Sequence, residues 1–479
     1  MATPLAHSFR LRPLVAGATL VLLVGLAGSR ADAIPAFARK YQTSCQTCHI
    51  AYPKLNPFGE AFRLLGYRMP DETEDMVKEE PVQLGAPGYK RLWPDTVWPS
   101  SIPGAMPLSV DTTFTDYSSR AEEDGDTHTI KNDFRFPEEI GALAGGTLGE
   151  TLSFFGEIAF EQEAEEGHSG FEIEVEHAQF TFNGPFGWGP AFNLKVGRFA
   201  PEITQAISHG HLLTTGGPAA LLSFQPIRAH GGREVGGHHG GGGIALPHSV
   251  DGLEVYGILG HRFLYSGGLA NGLGPGEESL DANSAKDVFG RVAYKIGGLP
   301  YDGSGYVPSD KNWREMSLAL GLFAYRGDGD GFVVRQTGHH GDELLVDQEF
   351  TRVGFDVNLF VRDLNVIAGF ARGRDSLATF EEHGGEGEHG DVELELEGVD
   401  DFTYKTWFVQ GDYVLMPWLH GAVRYEWLDP ASRSAPDFKR IVPNVTALIR
   451  ANVKAYLEFQ RDLGDSDNYV VLGALRFAF

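Results

Sequence analysis

The sequence predicts an all-β fold: a barrel of about 16 antiparallel strands, preceded by a small helical module. Apolar and polar residues alternate through many segments, among them residues 152–161, 353–359, 407–415 and 451–460. No helical periodicity separates these segments between residues 104 and 479. This length allows about 23 residues for each strand with its connection, which suits tilted spans joined by alternating short turns and long loops. We therefore assign residues 104–479 to the barrel.

The amino terminus carries the three parts of a secretory signal peptide. Arg10 and Arg12 precede an apolar run at residues 13–28, and a small-x-small cleavage site follows at residues 31–33. The run is too short for the alternative, a transmembrane anchor, so we predict that residues 1–33 are removed on export. No later segment has the roughly 18 apolar residues of a spanning helix. If the chain crosses a membrane, it must do so as a closed barrel.

The last segment of the chain favours a membrane location. Tyr469, Leu475, Phe477 and Phe479 share one face of a predicted strand, and the sequence ends on the aromatic residue. This resembles the terminal strand of bacterial outer-membrane barrels, whose final aromatic residue is read by the barrel-assembly machinery. Taken alone, the segment suits an edge strand of a soluble sandwich equally well. The recurrence of the alternation favours the outer membrane of a Gram-negative cell, with lipid around the barrel.

The charge of the chain limits its partners. Acidic residues outnumber basic ones by 65 to 39, and the net charge of −26 argues against nucleic acid and favours cations. Two segments are rich in acids: residues 381–401 contain ten of them and residues 161–176 contain seven. We predict that both are extracellular loops. They are either solvated and bridged by divalent cations to lipopolysaccharide, or they form a field that concentrates cations at the barrel mouth.

The pattern Cys45-Gln46-Thr47-Cys48-His49 predicts covalent attachment of one c-type haem. Two thiols three residues apart can add to the two vinyl groups of a porphyrin, and the imidazole of the next residue can ligate the iron. The alternative is a redox-active or structural disulfide. Because the chain is predicted to be exported, His49 follows directly and these are the only cysteines, the pattern favours haem.

Residues 34–80 are predicted to form the haem module. Apolar residues and both cysteines recur at helical spacing from Phe37 to Cys48, and Asn56 is placed to cap a second helix that starts at Pro57. Met69 is the predicted sixth ligand of the iron. Met76, Met106 and a barrel histidine are the alternatives. The proline-rich residues 81–103 are predicted to be a linker.

Residues 34–70 resemble the amino-terminal module of the fused outer-membrane cytochrome and porin proteins of iron-oxidising bacteria. The haem pattern, the helix that starts with proline and phenylalanine, the Gly66-Tyr67 ending and the terminal Phe479 match in order. The resemblance implies a haem module within a barrel of roughly 16 strands, with electrons passing from extracellular Fe(II) to a periplasmic c-type cytochrome. It also implies that Cys45 and Cys48 anchor the haem and that His49 is its proximal ligand.

Three functions from different classes are consistent with these features. The first is an outer-membrane electron conduit, an electron-transfer protein of the Fe(II)-oxidising type. The second is a solute-conducting porin with a structural or sensory haem plug. The third is a haem enzyme such as a peroxidase, which needs an open iron site and a distal acid or base. The sequence shows no such distal pair by spacing, which argues against the third function. We favour the first function over the second.

Overall fold

The computed structural model describes residues 36–70, short stretches between residues 82 and 105, and residues 106–479 with gaps. These gaps are residues 124–125, 150, 166–167, 206–211, 216, 219–220, 222–245, 272–284, 336–342, 384–392, 431–437 and 465–467. The predicted signal peptide, residues 1–33, and Met76 lie outside the described residues. Among the described helices, none is long and apolar enough to cross a bilayer.

Sixteen antiparallel strands form a closed barrel, which confirms the predicted fold class. Each strand pairs with its neighbours in sequence, and the last strand closes the barrel by pairing with the first. The strands are β1 Leu108–Glu123, β2 Asp126–Leu148, β3 Leu152–Glu165, β4 His168–Asn183, β5 Asn193–Phe199, β6 Val250–Leu259, β7 Phe263–Asn271, β8 Lys286–Gly297, β9 Glu315–Arg335, β10 Glu343–Arg362, β11 Leu364–His383, β12 Glu393–Met416, β13 Leu419–Pro430, β14 Phe438–Arg450, β15 Val453–Asp462 and β16 Tyr469–Ala478.

The alternation of the sequence separates the two faces of the barrel wall. Apolar side chains such as Phe180, Val292 and Val423 are exposed on the outside, whereas polar ones such as Glu254 and Glu426 are buried inside. Closure pairs the backbone groups around the ring, so that no strand edge is left for lipid to meet. An apolar outer face on a closed barrel is the architecture of bacterial outer-membrane proteins.

The two ends of the barrel differ in their connections. At one end most turns are short, although residues 298–314 form a longer connection there: Asp363 alone joins β10 to β11, and residues 451–452 join β14 to β15. At the other end lies the connection of residues 200–249 between β5 and β6. Bacterial barrels place short turns in the periplasm and long loops outside the cell. The short-turn end is therefore the periplasmic end.

Both acidic segments run largely through strands, so the loop prediction is wrong for their described residues. In the segment 381–401, residues 381–383 belong to β11 and residues 393–401 to β12. In the segment 161–176, residues 161–165 and 168–176 are strand residues. They continue β3 to Glu165 and open β4 at His168. Phe171, Ile173 and Val175 are exposed on the outer face of β4, so the glutamates that alternate with them face the lumen. A charged run resembles a solvated loop in a sequence, but the polar interior of a barrel accepts charge as well.

The helical module lies in the lumen near the periplasmic end. It consists of helix α1 (Ala36–Tyr41), a 3-10 turn (Cys45–Thr47), a short hairpin (His49–Ala51 with Lys54–Leu55) and helix α2 (Pro57–Leu64). Beyond it, two-residue strands Val82–Gln83 and Ser101–Ile102 pair with each other and helix α3 spans Tyr89–Leu92. The domain boundaries drawn from the sequence remain predictions.

Contacts with several strands hold the module in place. The Lys54 side chain is 1% exposed, and its Nζ donates to Asp412 Oδ2 at 2.9 Å and to Asn365 Oδ1 at 2.7 Å. Gln46 Nε2 donates to the carbonyl oxygen of Pro417 at 3.2 Å, in the turn between β12 and β13. Removal of these partners would leave the Lys54 ammonium buried and unpaired, which would strongly destabilise the fold. The module is therefore part of the folded barrel.

The expected single helix from Phe37 to Cys48 is interrupted. The backbone leaves the helix at Gln42, whose φ is 46°, and Ser44 is extended. The Ser44 hydroxyl accepts a hydrogen bond from the Gln46 N–H at 3.3 Å, which caps a separate turn. The predicted start of α2 is confirmed, because Asn56 Oδ1 accepts from the Gly59 N–H at 2.9 Å and Pro57 occupies the first helical position.

Candidate functional site

The 3-10 turn brings Cys45, Cys48 and His49 together. The Cys48 N–H donates to the Cys45 carbonyl at 3.2 Å, and both cysteines are free thiols. Helix α2 packs directly against this turn, since a Cβ at Gly59 would lie 2.1 Å from the Cys48 carbonyl oxygen. Asn56 joins the two elements as well, because its Nδ2 donates to the Thr47 carbonyl at 2.9 Å. The attachment motif is thus held by α2.

His49 is oriented as a metal ligand would be. Its Nδ1 lies 2.9 Å from the Pro53 carbonyl oxygen. A carbonyl oxygen only accepts hydrogen bonds, so Nδ1 carries the proton and the Nε2 lone pair is left for a metal ion. Burial lowers the pKa of His49 to about 4, against the hydrogen bonds to Pro53 and Lys54, which raise it. The ring is therefore the neutral imidazole that ligates metals.

Burial has the opposite effect on the thiols. It raises the pKa of Cys48 to about 12, and it also raises the pKa of Cys45. A redox-active Cys-x-x-Cys pair has a lowered thiol pKa, because the thiolate is the attacking form. This environment instead suits a neutral sulfur, such as the thioether of an attached haem. Burial therefore does not favour the thiolate form that a redox-active pair would use.

A cavity of about 390 Å³ lies between the module and the barrel wall. Cys45, Cys48, His49 and Met69 all line it. Its volume falls within the range of about 300 to 1,000 Å³ that is usual for small-molecule and cofactor sites. Aromatic rings from the module and the wall surround it, namely Phe37, Tyr41, Phe62, Tyr67 and Phe155. The donor set and the aromatic rings on the module side of the cavity fit a haem.

Met69 and Met106 differ sharply in position. Met69 is 7% exposed and packs in a cluster with Tyr41, Phe58 and Phe62, whereas Met106 is 64% exposed and does not line the cavity. One barrel histidine, His177 on β4, lines the cavity too. Met69 as the sixth ligand remains a prediction, with His177 as the alternative that the cavity offers.

The wall of the cavity carries acids that the sequence did not assign to a site. Asp111, Glu139, Glu157 and Glu176 line it, and Arg476 on β16 bridges the first two. Arg476 lies 2.6 Å from an Asp111 carboxylate oxygen and 3.6 Å from one of Glu139. Of these four acids, only Glu176 belongs to the acidic run that we assigned to a loop. Glu157 is a polar residue of the alternating segment 152–161, and no sequence pattern pointed to Asp111 or Glu139.

Inward-facing side chains of the wall also bond to the long connection beside the module. Thr214, in the long connection between β5 and β6, donates to Gln410 Oε1 at 2.7 Å, and the Thr215 N–H donates to Glu458 Oε2 at 3.0 Å. Gln410 and Glu458, which belong to β12 and β15, are fully buried. Together with the Lys54 contacts, these bonds fill this part of the barrel with packed protein.

The fold and its lipid-facing surface make this chain a 16-stranded β-barrel of the Gram-negative outer membrane, with the strand number of many porins. No protein-family model matches the sequence, and a search of curated proteins also finds no match.

Among solved structures, the chain is similar to the anion-selective porin from Comamonas acidovorans (10% identity, TM-score 0.47), with 78% of this chain and 99% of that chain covered. It is also similar to Salmonella typhi OmpF in complex with daunomycin (13% identity, TM-score 0.45), with 78% and 97% covered. The closed ladder of paired strands, rather than these likenesses, identifies the barrel.

Proposed function

We propose that this protein is an outer-membrane electron conduit. It carries one haem c, attached through Cys45 and Cys48, with His49 as proximal ligand. The observation that carries the proposal is that these three residues and Met69 line one cavity inside the barrel. Its partners are an extracellular donor such as Fe(II) and a periplasmic c-type cytochrome.

Different residues around the cavity would hold the haem in different ways. The two cysteines would fix it covalently, and the Pro53 carbonyl keeps His49 turned with Nε2 available. Aromatic rings line one side of the cavity, where Tyr67 stacks on Phe37 at 5.2 Å and on Phe155 of β3 at 5.3 Å between ring centroids. When bound, the haem supplies reversible one-electron oxidation and reduction.

The position of the module supports passage of electrons along the barrel axis. Its periplasmic side contacts the short turns through Gln46, while its other side borders the acidic inner wall of β3 and β4. A group in this cavity lies between the two ends of the barrel. A redox group placed there would pass electrons along the barrel axis.

The second candidate is a porin with a structural or sensory haem plug. The 16-stranded barrel favours it, because this is the strand number of solute-conducting porins. It differs from the first candidate in a measurable way. A porin conducts ions through its lumen in either redox state, whereas a conduit reduces a partner on the far side of the membrane.

Proteoliposomes separate the two functions. The full-length protein would be reconstituted into vesicles that enclose ferric cytochrome c, and Fe(II) would be added outside under anaerobic conditions. We expect reduction of the enclosed cytochrome, and none with a Cys48→Ala variant. Single-channel conductance without cytochrome reduction would reject the conduit and favour the porin.

A further inference from the structure

Three side chains with metal-binding atoms converge on the inner wall of the barrel. Glu157 belongs to β3, whereas Glu176 and His177 belong to β4, and one ligand atom from each lies within 4.8 Å of the others. His177 Nδ1 is 3.6 Å from Glu157 Oε2. All three line the cavity that holds the Cys45–His49 motif. This spacing suits three ligands around one ion.

A β-bulge produces this arrangement. Glu157 pairs with His177 and Ile158 pairs with Val175, so Glu176 is an extra residue in β4. Val175, before the bulge, and Phe180, after it, are both exposed on the outer face, although one position is odd and the other even. The change of phase turns the adjacent Glu176 and His177 toward the same side, the lumen. In a regular strand one of the two would face lipid.

The donor set selects a class of ion. Two carboxylates with one imidazole form a mixed oxygen and nitrogen set, which suits first-row transition ions such as Fe(II) and Mn(II). Ca²⁺ and Mg²⁺ prefer oxygen ligands throughout. With both carboxyl groups ionised and the imidazole neutral, the three side chains would carry two negative charges, which a divalent cation balances. The nearby Arg476 is engaged by Asp111 and Glu139, and those two acids lie on β1 and β2.

We propose that Glu157, Glu176 and His177 form a binding site for a divalent first-row transition ion, at which Fe(II) docks as the electron donor. The donor role rests on the proposed function. Fe(II) bound at this site would give up one electron and become Fe(III), and a ferric haem held by Cys45, Cys48 and His49 would be the acceptor of that electron. Phe155 lies between the proposed ion site and the helical module, because its ring centroid is 5.5 Å from that of His177 and 5.3 Å from that of Tyr67.

Mn(II) is the probe for the site, because it is a divalent first-row ion whose free form is counted directly by its electron paramagnetic resonance signal. The haem-loaded full-length protein in detergent would be titrated with Mn(II), beside Glu157→Gln, Glu176→Gln and His177→Gln variants. We expect each variant to bind Mn(II) at least about tenfold more weakly at one site, as the loss of a metal ligand implies. Heat-modifiable migration checks that every variant keeps its barrel.

Glu172→Gln is the matched control. Glu172 lies on the same strand, faces the lumen and lies outside the cluster, about 13 Å along the strand from Glu176. The substitution removes the same charge, so Mn(II) binding should change by less than about twofold if ligation rather than the general field binds the ion. If Glu172→Gln and Glu157→Gln weaken Mn(II) binding equally, a diffuse acidic field rather than this site binds the ion.

Two further outcomes bear on the proposal. Unchanged Mn(II) binding in all three ligand variants would overturn it, as would a change of the ferric haem spectrum in His177→Gln, since His177 would then ligate the haem. The test is independent of the conduit. A protein that binds Mn(II) at these residues but carries no haem would refute the proposed function and leave the site standing.

Discussion

Cys48 is one of two thiols that face the cavity, and a covalent haem requires a thioether bond at this position. The Cys48→Ala variant should lose stable haem attachment, seen as loss of peroxidase-type staining after denaturing electrophoresis. Thr47→Ala, a change within the same turn that leaves both thiols in place, should keep the stain. Undiminished staining of the Cys48 variant would refute the attachment site.

Met69 is buried beside the same cavity, where its thioether could complete the coordination of iron. Met69→Ala should then remove the weak sulfur-to-iron charge-transfer absorption of the ferric protein and increase its affinity for cyanide. The reduction potential should fall, because thioether ligation favours ferrous iron. Fe(II) oxidation should slow as a consequence.

Met106→Ala is the control for this prediction, because the Met106 side chain is exposed and does not line the cavity. Its spectrum should match that of the unaltered protein. If Met69→Ala also leaves the ferric spectrum unchanged, Met69 is not the ligand. The search then moves to His177 and Met76.

The residues of the site differ in how far the sequence reveals them. Cys45, Cys48 and His49 are contiguous, so their spacing is visible without any tertiary structure. Glu157 and His177 meet only because two strands pair in a particular register and β4 contains a bulge. The change of phase between Val175 and Phe180 is a sequence signal for that bulge, but it becomes readable only when both segments are recognised as one strand.

At the scale of the elements, the contact between α2 and the 3-10 turn allows no side chain at Gly59. Gly59→Ala would place its Cβ 2.1 Å from the Cys48 carbonyl oxygen and 2.9 Å from Leu55 Cδ2. We expect overpacking of this kind to destabilise the module by about 1 to 3 kcal/mol. The urea midpoint of the haem absorption change should fall accordingly.

Gly88→Ala provides the comparison, since a Cβ there meets nothing within 4 Å. It should leave the urea midpoint where it is. An unshifted urea midpoint for Gly59→Ala would mean that α2 does not pack closely against the 3-10 turn.

The strands were more predictable than the module. Alternation over a long segment predicts that the segment is a strand and which of its side chains face the lumen, because every residue of a barrel strand faces either lipid or lumen. The helix from Phe37 failed as a prediction at Gln42 and Ser44, where local capping ends it. Helical spacing of apolar residues says which face is buried but does not require that the helix be continuous.

At the scale of the whole molecule, the barrel closes where β16 meets β1. The Phe479 N–H donates to the Val110 carbonyl at 2.8 Å, and the Val110 N–H donates to the Phe479 carbonyl at 2.7 Å. Deleting Phe479 removes both bonds and the terminal aromatic ring, so the yield of heat-modifiable protein in the outer membrane should fall several-fold. Quantitative blotting of membrane fractions measures it.

Phe479→Tyr keeps the backbone bonds and an aromatic ring, and it should restore the yield. Phe479→Ala keeps only the backbone bonds and so separates the two contributions. Recovery of the unaltered protein as a soluble periplasmic species would contradict the barrel architecture altogether.

The enclosure of Cys45 and Cys48 within the lumen has a consequence for biogenesis. Once β16 has joined β1, sixteen paired strands surround the two thiols, and Gln46 and Lys54 tie their module to the wall. An enzyme that attaches haem to these thiols would need access to them before the barrel encloses them. If the cofactor is the one proposed, its attachment precedes barrel closure, and the cell matures this protein in a fixed order, with haem ligation in the periplasm before insertion into the outer membrane.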